Sequence, residues 1–335
     1  MAAASIKDVA RQAGVSVGTV SNVLNRPDRV SADTVSRVRA AIDELGFVRN
    51  DAARQLRVGR SSTVGLIVLD VRNPFFTELA RGAEDRAAAA GLSILLGNSD
   101  DDPAREAAYL DLFEEQRVHG VLISPIGDVT DRLARLRDRG TAAVLVDRSG
   151  RETGFSSVSM DDIAGGYVAV RHLIERGRTR IAYLASQLEM RQVTDRLEGA
   201  RRAVAETPGV TLEVITATGL SVIDGRRSGE EIAARPVAAR PDAIFTVNDL
   251  MAVGVLQALV MSSSLRVPDD IALVGYDDID FASATIVPLT SVRQPSHLIG
   301  STALELLLDA TTDPPRAPRD VVFQPELVVR ASTTG

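Results

Sequence analysis

Apolar positions along the chain follow two periods. From Ile6 to Leu45 they recur at helical spacing: Ile6, Val9, Ala10 and Ala13, then Val20, Val23 and Leu24, then Val35, Val38, Ile42 and Leu45. From Thr63 onward, short apolar runs alternate with amphipathic stretches. VGLIVLD, LSILLGNS, GVLISPI and AAVLVDR read as buried strands, with helices over 76–90, 105–117 and 133–139 between and after them. A second round starts at Asp161, with a helix over 163–176, strand IAYLAS, a helix from about 195 to 206, strand LEVITA, a helix over 224–234, strand AIFTV, a helix over 249–261 and strand IALVGYD. Such alternation predicts parallel, doubly wound sheets. Two rounds predict two α/β lobes with a cleft between them, and ligands of such sheets sit outside the carboxyl ends of the strands.

The N-terminal pattern predicts a different object. Gly14 follows the first apolar stripe, where a chain leaving a helix needs positive φ, and Ser16 stands as the N-cap of a second helix. Helix, short glycine-bearing turn, helix is the DNA-binding helix-turn-helix, although an ordinary helical hairpin shares the pattern. Ser31 and Gly46 bracket a third helix. Beyond Phe47, in VRNDAARQLRVGRSST, Asn50 caps a short predicted helix over 51–58 that Gly59 ends. That helix has little apolar surface to bury alone.

Charge sharpens the division. The chain carries −7, yet in residues 1–60 ten basic side chains face six acidic ones, leaving +4 there and −11 on the remainder. A basic module on an acidic body suits phosphate contact by the module alone. Apolar content of 45% with 4% aromatic implies a core of Ala, Val, Leu and Ile. Cysteine is absent, which excludes disulfides, thiol chemistry and cysteine metal sites. MAAASIKD has no signal-peptide pattern and no apolar run is long enough to span a bilayer, so a cytoplasmic protein is expected. His119, His172 and His297 stand apart from one another, Ser124 and Ser186 have no adjacent base, and neither GxGxxG nor GxxxxGK occurs. These features predict no metal, no cofactor and no enzyme.

IKDVARQAGVSVGTVSNVLN, VSADT and the strand-end blocks below resemble the LacI/GalR family of bacterial transcription regulators over essentially the full chain. The resemblance implies a helix-turn-helix domain (1–48), a hinge helix and linker (49–60) and a periplasmic-binding-protein type I core (61–335). Its first lobe would cover about 61–160 and 291–320, and its second about 161–290 and 321–330. The chain would cross between lobes near Val158–Asp161, Leu289–Gln294 and Val321–Glu326, with a helix over 296–309 returning to the first lobe. It implies a homodimer on a pseudo-palindromic operator in double-stranded DNA, with the second helix in the major groove. Ser16, Val17, Gly18, Thr19, Ser21 and Asn22 are the candidates there. Val17, Gly18 and Asn22 would read bases, and Thr19 and Ser21 base edges or phosphate. Arg11, Arg29 and Arg57 are phosphate candidates. The hinge helices would pair through Ala53 and wedge Leu56 into the minor groove. Arg49 stands where the family usually has proline.

The predicted strands end in side chains suited to a polyol. Asn73, Phe75 and Phe76 follow the first strand, Asp147 and Arg148 the fourth, and Arg196 precedes a second-lobe helix. Asn248 follows AIFTV, Asp277 ends the GY run, and Gln294 sits at a crossing. Carboxylates, amides and guanidinium groups supply paired donors and acceptors for vicinal hydroxyls, and aromatic faces cover a sugar's C–H side. Each taken singly could be a helix cap. Together they resemble the pentose site of ribose-binding proteins, with Ser124 and Leu220 as further walls. The absence of tryptophan argues against a purine. The reading is a DNA-binding regulator, repressing by default, whose operator affinity is set by ribose or a similar monosaccharide closing the lobes. A solute-binding protein of a sugar transport system is the alternative. No heptad segment follows the last strand pattern, which favours a dimer over a helical tetramer.

Overall fold

In the computed structural model, which describes residues 4–47, 61–151, 153–186 and 188–334, the chain divides into two compact units, 1–61 and 62–335. The first contains α1 (Ile6–Ala13), α2 (Val17–Asn25) and α3 (Ala32–Leu45). Ser5 and Asp8 form a capping box at the start of α1. Gly14 ends it at φ 66°, and its amide returns to the carbonyls of Ala10 and Arg11. The Ser16 hydroxyl then accepts the Thr19 amide at 3.0 Å and starts α2. Ser31 precedes α3 as expected, but its hydroxyl donates to Thr34 Oγ1 at 2.9 Å and caps no helix amide. Val9, Ala10, Ala13, Val20, Val23, Val38 and Ala41 make the buried core of this unit.

The second unit is built on two six-stranded sheets. One orders β11 (Asp320–Phe323), β5 (Ser156–Met160), β4 (Ala142–Val146), β3 (Gly120–Ile123), β1 (Thr63–Val68) and β2 (Ser93–Asn98), all parallel. The other orders β12 (Glu326–Val328), β10 (Thr290–Arg293), β9 (Ala272–Asp277), β8 (Ala243–Thr246), β6 (Arg180–Ala185) and β7 (Thr211–Thr216), parallel except for β12 against β10. Side-chain alternation assigns the strand residues of the first lobe to two cores. Val64, Leu66, Leu122, Val144 and Val146 point to the face covered by α4 (Pro74–Ala89) and α12 (Ser296–Ala310). Ile67, Val121, Ile123, Ala143 and Leu145 point to the face covered by α5 (Pro103–Glu115) and α6 (Thr130–Asp138). The second lobe carries α7 (Asp162–Glu175), α8 (Arg191–Ala205), α9 (Val222–Ala233), α10 (Asp249–Met261) and the short α11 (Asp280–Ala284). This is the mixed α/β, two-lobed architecture the pattern implies.

Several boundaries move, each for a local reason. Helices α4 and α5 begin at Pro74 and Pro103, ahead of 76 and 105, because Asn73 and Asp102 cap them and proline suits the first turn. Helix α8 begins at Arg191, four residues ahead of 195. Its N-cap, Met190, has no capping side chain to announce it. Strand β5, SSVSM, has no apolar run, yet every position is buried because serine is small enough to fit between β4 and β11. Strand β10 belongs to the second sheet and β11 to the first, so the later crossings fall after Arg293 and after Phe323, inside the expected Leu289–Gln294 and Val321–Glu326 segments and a few residues past the approximate lobe bounds of 290 and 320. The first and third crossing segments touch, with the Asp161 amide donating to the Phe323 carbonyl at 2.9 Å. The expected hinge helix, with Ala53, Leu56 and Arg57, lies outside the described residues.

Candidate functional site

Between the lobes lies a cavity lined by Leu69, Asn73, Phe75, Phe76, Asp147, Met190, Gln192, Val193, Arg196, Leu220, Val247, Asn248, Asp277 and Gln294. Its walls come from the carboxyl ends of strands in both sheets, where doubly wound folds hold ligands. Two helix caps serve also as walls. Asn73 accepts the Phe75 amide at 3.0 Å and donates across the cleft to Asp277 Oδ2 at 3.1 Å. Asn248 accepts the Met251 amide at 2.9 Å and donates to the Leu220 carbonyl at 3.2 Å. Phe75 and Phe76 meet edge to face with ring centroids 4.9 Å apart.

Arg196 is the buried cation of the site, 6% exposed. Its Nε donates to Asp162 Oδ1 at 2.8 Å and its Nη1 to the Val247 carbonyl at 2.7 Å, while the guanidinium carbon lies 3.7 Å above the Tyr276 ring. The Tyr276 hydroxyl donates to the same Asp162 oxygen at 2.8 Å. Two aspartates face one another across the cavity from matching strands, Asp147 after β4 and Asp277 at the end of β9. Both have left-handed backbones, at φ 56° and 106°, a cost of about 1–3 kcal/mol each that marks a functional position. Burial, then the charge of Asp162, pushes the Asp147 carboxyl up to about 8. Burial pushes Asp277 up to about 6, held back by Arg196 and by the donors Asn73 and Gln294. Gln294 Nε2 donates to Asp277 Oδ1 at 2.8 Å. Two acceptors on the walls, Asp147 Oδ1 and Gln294 Oε1, are buried with no hydrogen-bond partner among the described residues. Such oxygens call for a ligand that hydrogen-bonds to them, and hydroxyls can both donate and accept.

Of the cleft residues expected from sequence, Asn73, Phe75, Phe76, Asp147, Arg196, Leu220, Asn248, Asp277 and Gln294 come together here. Ser124 and Arg148 do not. Ser124 is fully buried at the end of β3 and is not among the walls. Arg148 donates through Nη1 to the Gly127 carbonyl and lines a wider outer cavity that Asp147 and Gln192 also border. Gln192 was not anticipated. It lies in the first turn of α8 and donates across the cleft to the Asp147 carbonyl at 2.7 Å and to Asp147 Oδ2 at 3.1 Å. Its glutamine-before-arginine spacing was the one available signal, on a helix turn the apolar pattern did not reach.

In the N-terminal unit Ser16, Val17, Gly18 and Asn22 are exposed and Thr19 and Ser21 half-buried. Beneath them Val20 and Val23 anchor α2 to the core. Arg11 and Arg29 are exposed, Arg11 in an ion pair with Asp8 at 2.6 Å. Among the described residues no group of His, Cys, Asp or Glu could hold a metal, and no helix is long and apolar enough to cross a membrane.

Residues 5–50 match the model of bacterial regulatory proteins of the lacI family, and residues 170–333 match that of a periplasmic binding protein-like domain. The chain is 37% identical to the HTH-type transcriptional repressor PurR of Photobacterium profundum, covering 98% of both chains. It is 34% identical to the ribose operon repressor of Escherichia coli, covering 98% of this chain and 99% of that one. The lac repressor dimer bound to operator and the anti-inducer ONPF superimposes with a TM-score of 0.84 at 28% identity over 100% of both chains. The chain therefore belongs to the LacI family of bacterial regulators: it is a DNA-binding transcriptional repressor, not an enzyme, and it answers to a small molecule.

Proposed function

We propose that this repressor works in the cytoplasm as a homodimer on a pseudo-palindromic operator, and that its effector is a monosaccharide of pentose size, ribose or a close relative. The observation that carries the sugar reading is the pair of unpartnered acceptors, Asp147 Oδ1 and Gln294 Oε1, beside a paired phenylalanine wall. Vicinal hydroxyls satisfy both, and a C–H face covers the rings. Size agrees. The cavity is small, about 60 Å³ as traced by water centres, which is room for a few waters. That is the scale of a monosaccharide and not of a longer chain. Relatives named for PurR and for ribose share similar identity with this chain, so the support for a sugar comes from the side chains of the cavity, not overall likeness.

In this reading Val17, Gly18 and Asn22 face bases, with Ser16, Thr19 and Ser21 beside them. Valine and glycine offer no bidentate hydrogen bonds, so contact there rests on thymine methyls and close approach. Arg11, Arg29 and Arg57 hold phosphates, and Leu56 wedges the minor groove with Ala53 at the hinge contact. Sugar binding closes the lobes and releases the hinge pair, which couples two sites through one bistable dimer. Titration of the purified protein with D-ribose, other pentoses and hexoses, followed by fluorescence anisotropy on operator DNA, tests the reading. D-ribose is expected to bind and to weaken operator affinity. Binding by hexoses or purines alone overturns the pentose assignment. Leu56→Ala is expected to weaken operator binding about tenfold or more, and unchanged affinity would remove the wedge.

A further inference from the structure

We infer that one face of α7, made by Asp162, Gly165 and Gly166, is a cradle that sets where Arg196 stands in the cavity, so that both glycines are positioning residues for the effector although neither lines its cavity. The inference rests on the effector reading of the cleft given above. Residues three and four apart share a helix face, so these three side chains, or the lack of them, act at one place.

Gly166 sets the backbone. A Cβ there would lie 1.9 Å from the Arg196 carbonyl oxygen and 2.9 Å from its Cα. Backbone cannot yield as a flexible side chain can. The contact is reciprocal: a Cβ at Gly199, one turn after Arg196, would lie 1.9 Å from the Ile163 oxygen and 2.6 Å from the Tyr167 nitrogen. The crossing of α7 and α8 is thus pinned from both sides at the residue whose guanidinium reaches the cavity. Gly165 sets the floor. A Cβ there would fall 2.2 Å from the Tyr276 hydroxyl and 2.8 Å from its ring, and that ring carries the guanidinium at 3.7 Å. Asp162 sets the orientation by holding Arg196 Nε and the Tyr276 hydroxyl on one oxygen. A free arginine side chain has considerable rotamer entropy to lose, and fixing it before the ligand arrives keeps that cost out of binding. The α9–α10 crossing supplies a contrast. A Cβ at Gly229 would lie 2.7 Å from Ala258 Cβ and 3.0 Å from Val255 Cα, neither of them a cavity wall.

The test uses the full-length protein with Gly165→Ala, Gly166→Ala and, as control, Gly229→Ala. A ligand-free readout comes first: the Arg196 Nε–H resonance in ¹⁵N NMR, which is buried and bonded to Asp162. It is expected to shift or broaden in both α7 variants and to persist in Gly229→Ala. D-ribose titration follows. The α7 variants should bind about tenfold or more weakly, while operator affinity without sugar stays within about twofold. Tyr276→Phe combined with Gly165→Ala should lose less than the sum of the two single losses, because the hydroxyl is the nearest obstruction. If both α7 variants keep the Arg196 resonance unchanged, or lose melting temperature as Gly229→Ala does with ribose affinity intact, the cradle is only packing and the inference is overturned. If wild type ignores D-ribose, the pentose reading falls and the resonance still decides the cradle.

Discussion

Asp147 and Asp277 occupy the same place in the two lobes, the carboxyl end of the third strand in each sheet order, and both have left-handed backbones there. Their chemistry differs because their donors differ. Asp277 has both oxygens bonded, by Asn73 and by Gln294, and it feels Arg196 as its largest opposing charge; it rises only to about 6. Asp147 has one side-chain donor, Gln192, and one bare oxygen, and it rises to about 8. Burial therefore favours the proton on Asp147 more than on Asp277. Residue type and fold position together do not set the titration of such a group; burial, neighbouring charges and hydrogen bonds around it do.

The strongest break in this comparison removes the better-held partner. Asp277→Ala leaves the amides of Asn73 and Gln294 without their acceptor and should weaken D-ribose binding about a hundredfold by calorimetry. A normal sugar response in that variant would reject the cleft assignment. Next comes pH. Burial and the Asp162 charge hold the proton on folded Asp147 up to about 8, whereas the unfolded chain sheds it near the ordinary carboxylate value of 3.8. The folded state therefore binds more protons between those values, and this contribution to stability, full below 3.8, is lost as pH rises to about 8. Asp147→Asn removes the dependence. Its melting temperature should exceed wild type by about 5 °C at pH 8.5 and by little at pH 5; a gain that is equal at both pH values would show Asp147 to be ordinary. The smallest effect expected is at the partition. Gln192→Ala cuts the bond that joins the lobes at Asp147, and stopped-flow release of D-ribose should quicken about tenfold with the association rate nearly unchanged.

The fold was largely legible because buried parallel strands carry dense apolar runs and the helices between them carry a clear period. What escaped had no such run. SSVSM is a central strand of small polar residues. The first turn of α8 is polar and uncapped by any side chain, which hid Gln192 and Met190 as cavity walls. Asn73, Asn248 and Asp277 were legible because they directly follow or end readable strands. Arg148 follows Asp147 directly in sequence, yet lines the outer cavity and not the inner one. The cradle of Gly165 and Gly166 was invisible, since close backbone approach is a property of two helices and not of either sequence.

Gln294 lies at the second crossing between the lobes, where it both bonds Asp277 and lines the cavity. The joint on which the clamshell swings is therefore also one of its taste buds. In the proposed reading, a substitution there changes the cavity wall and the crossing segment at one stroke, so ligand choice and switching threshold would be altered together.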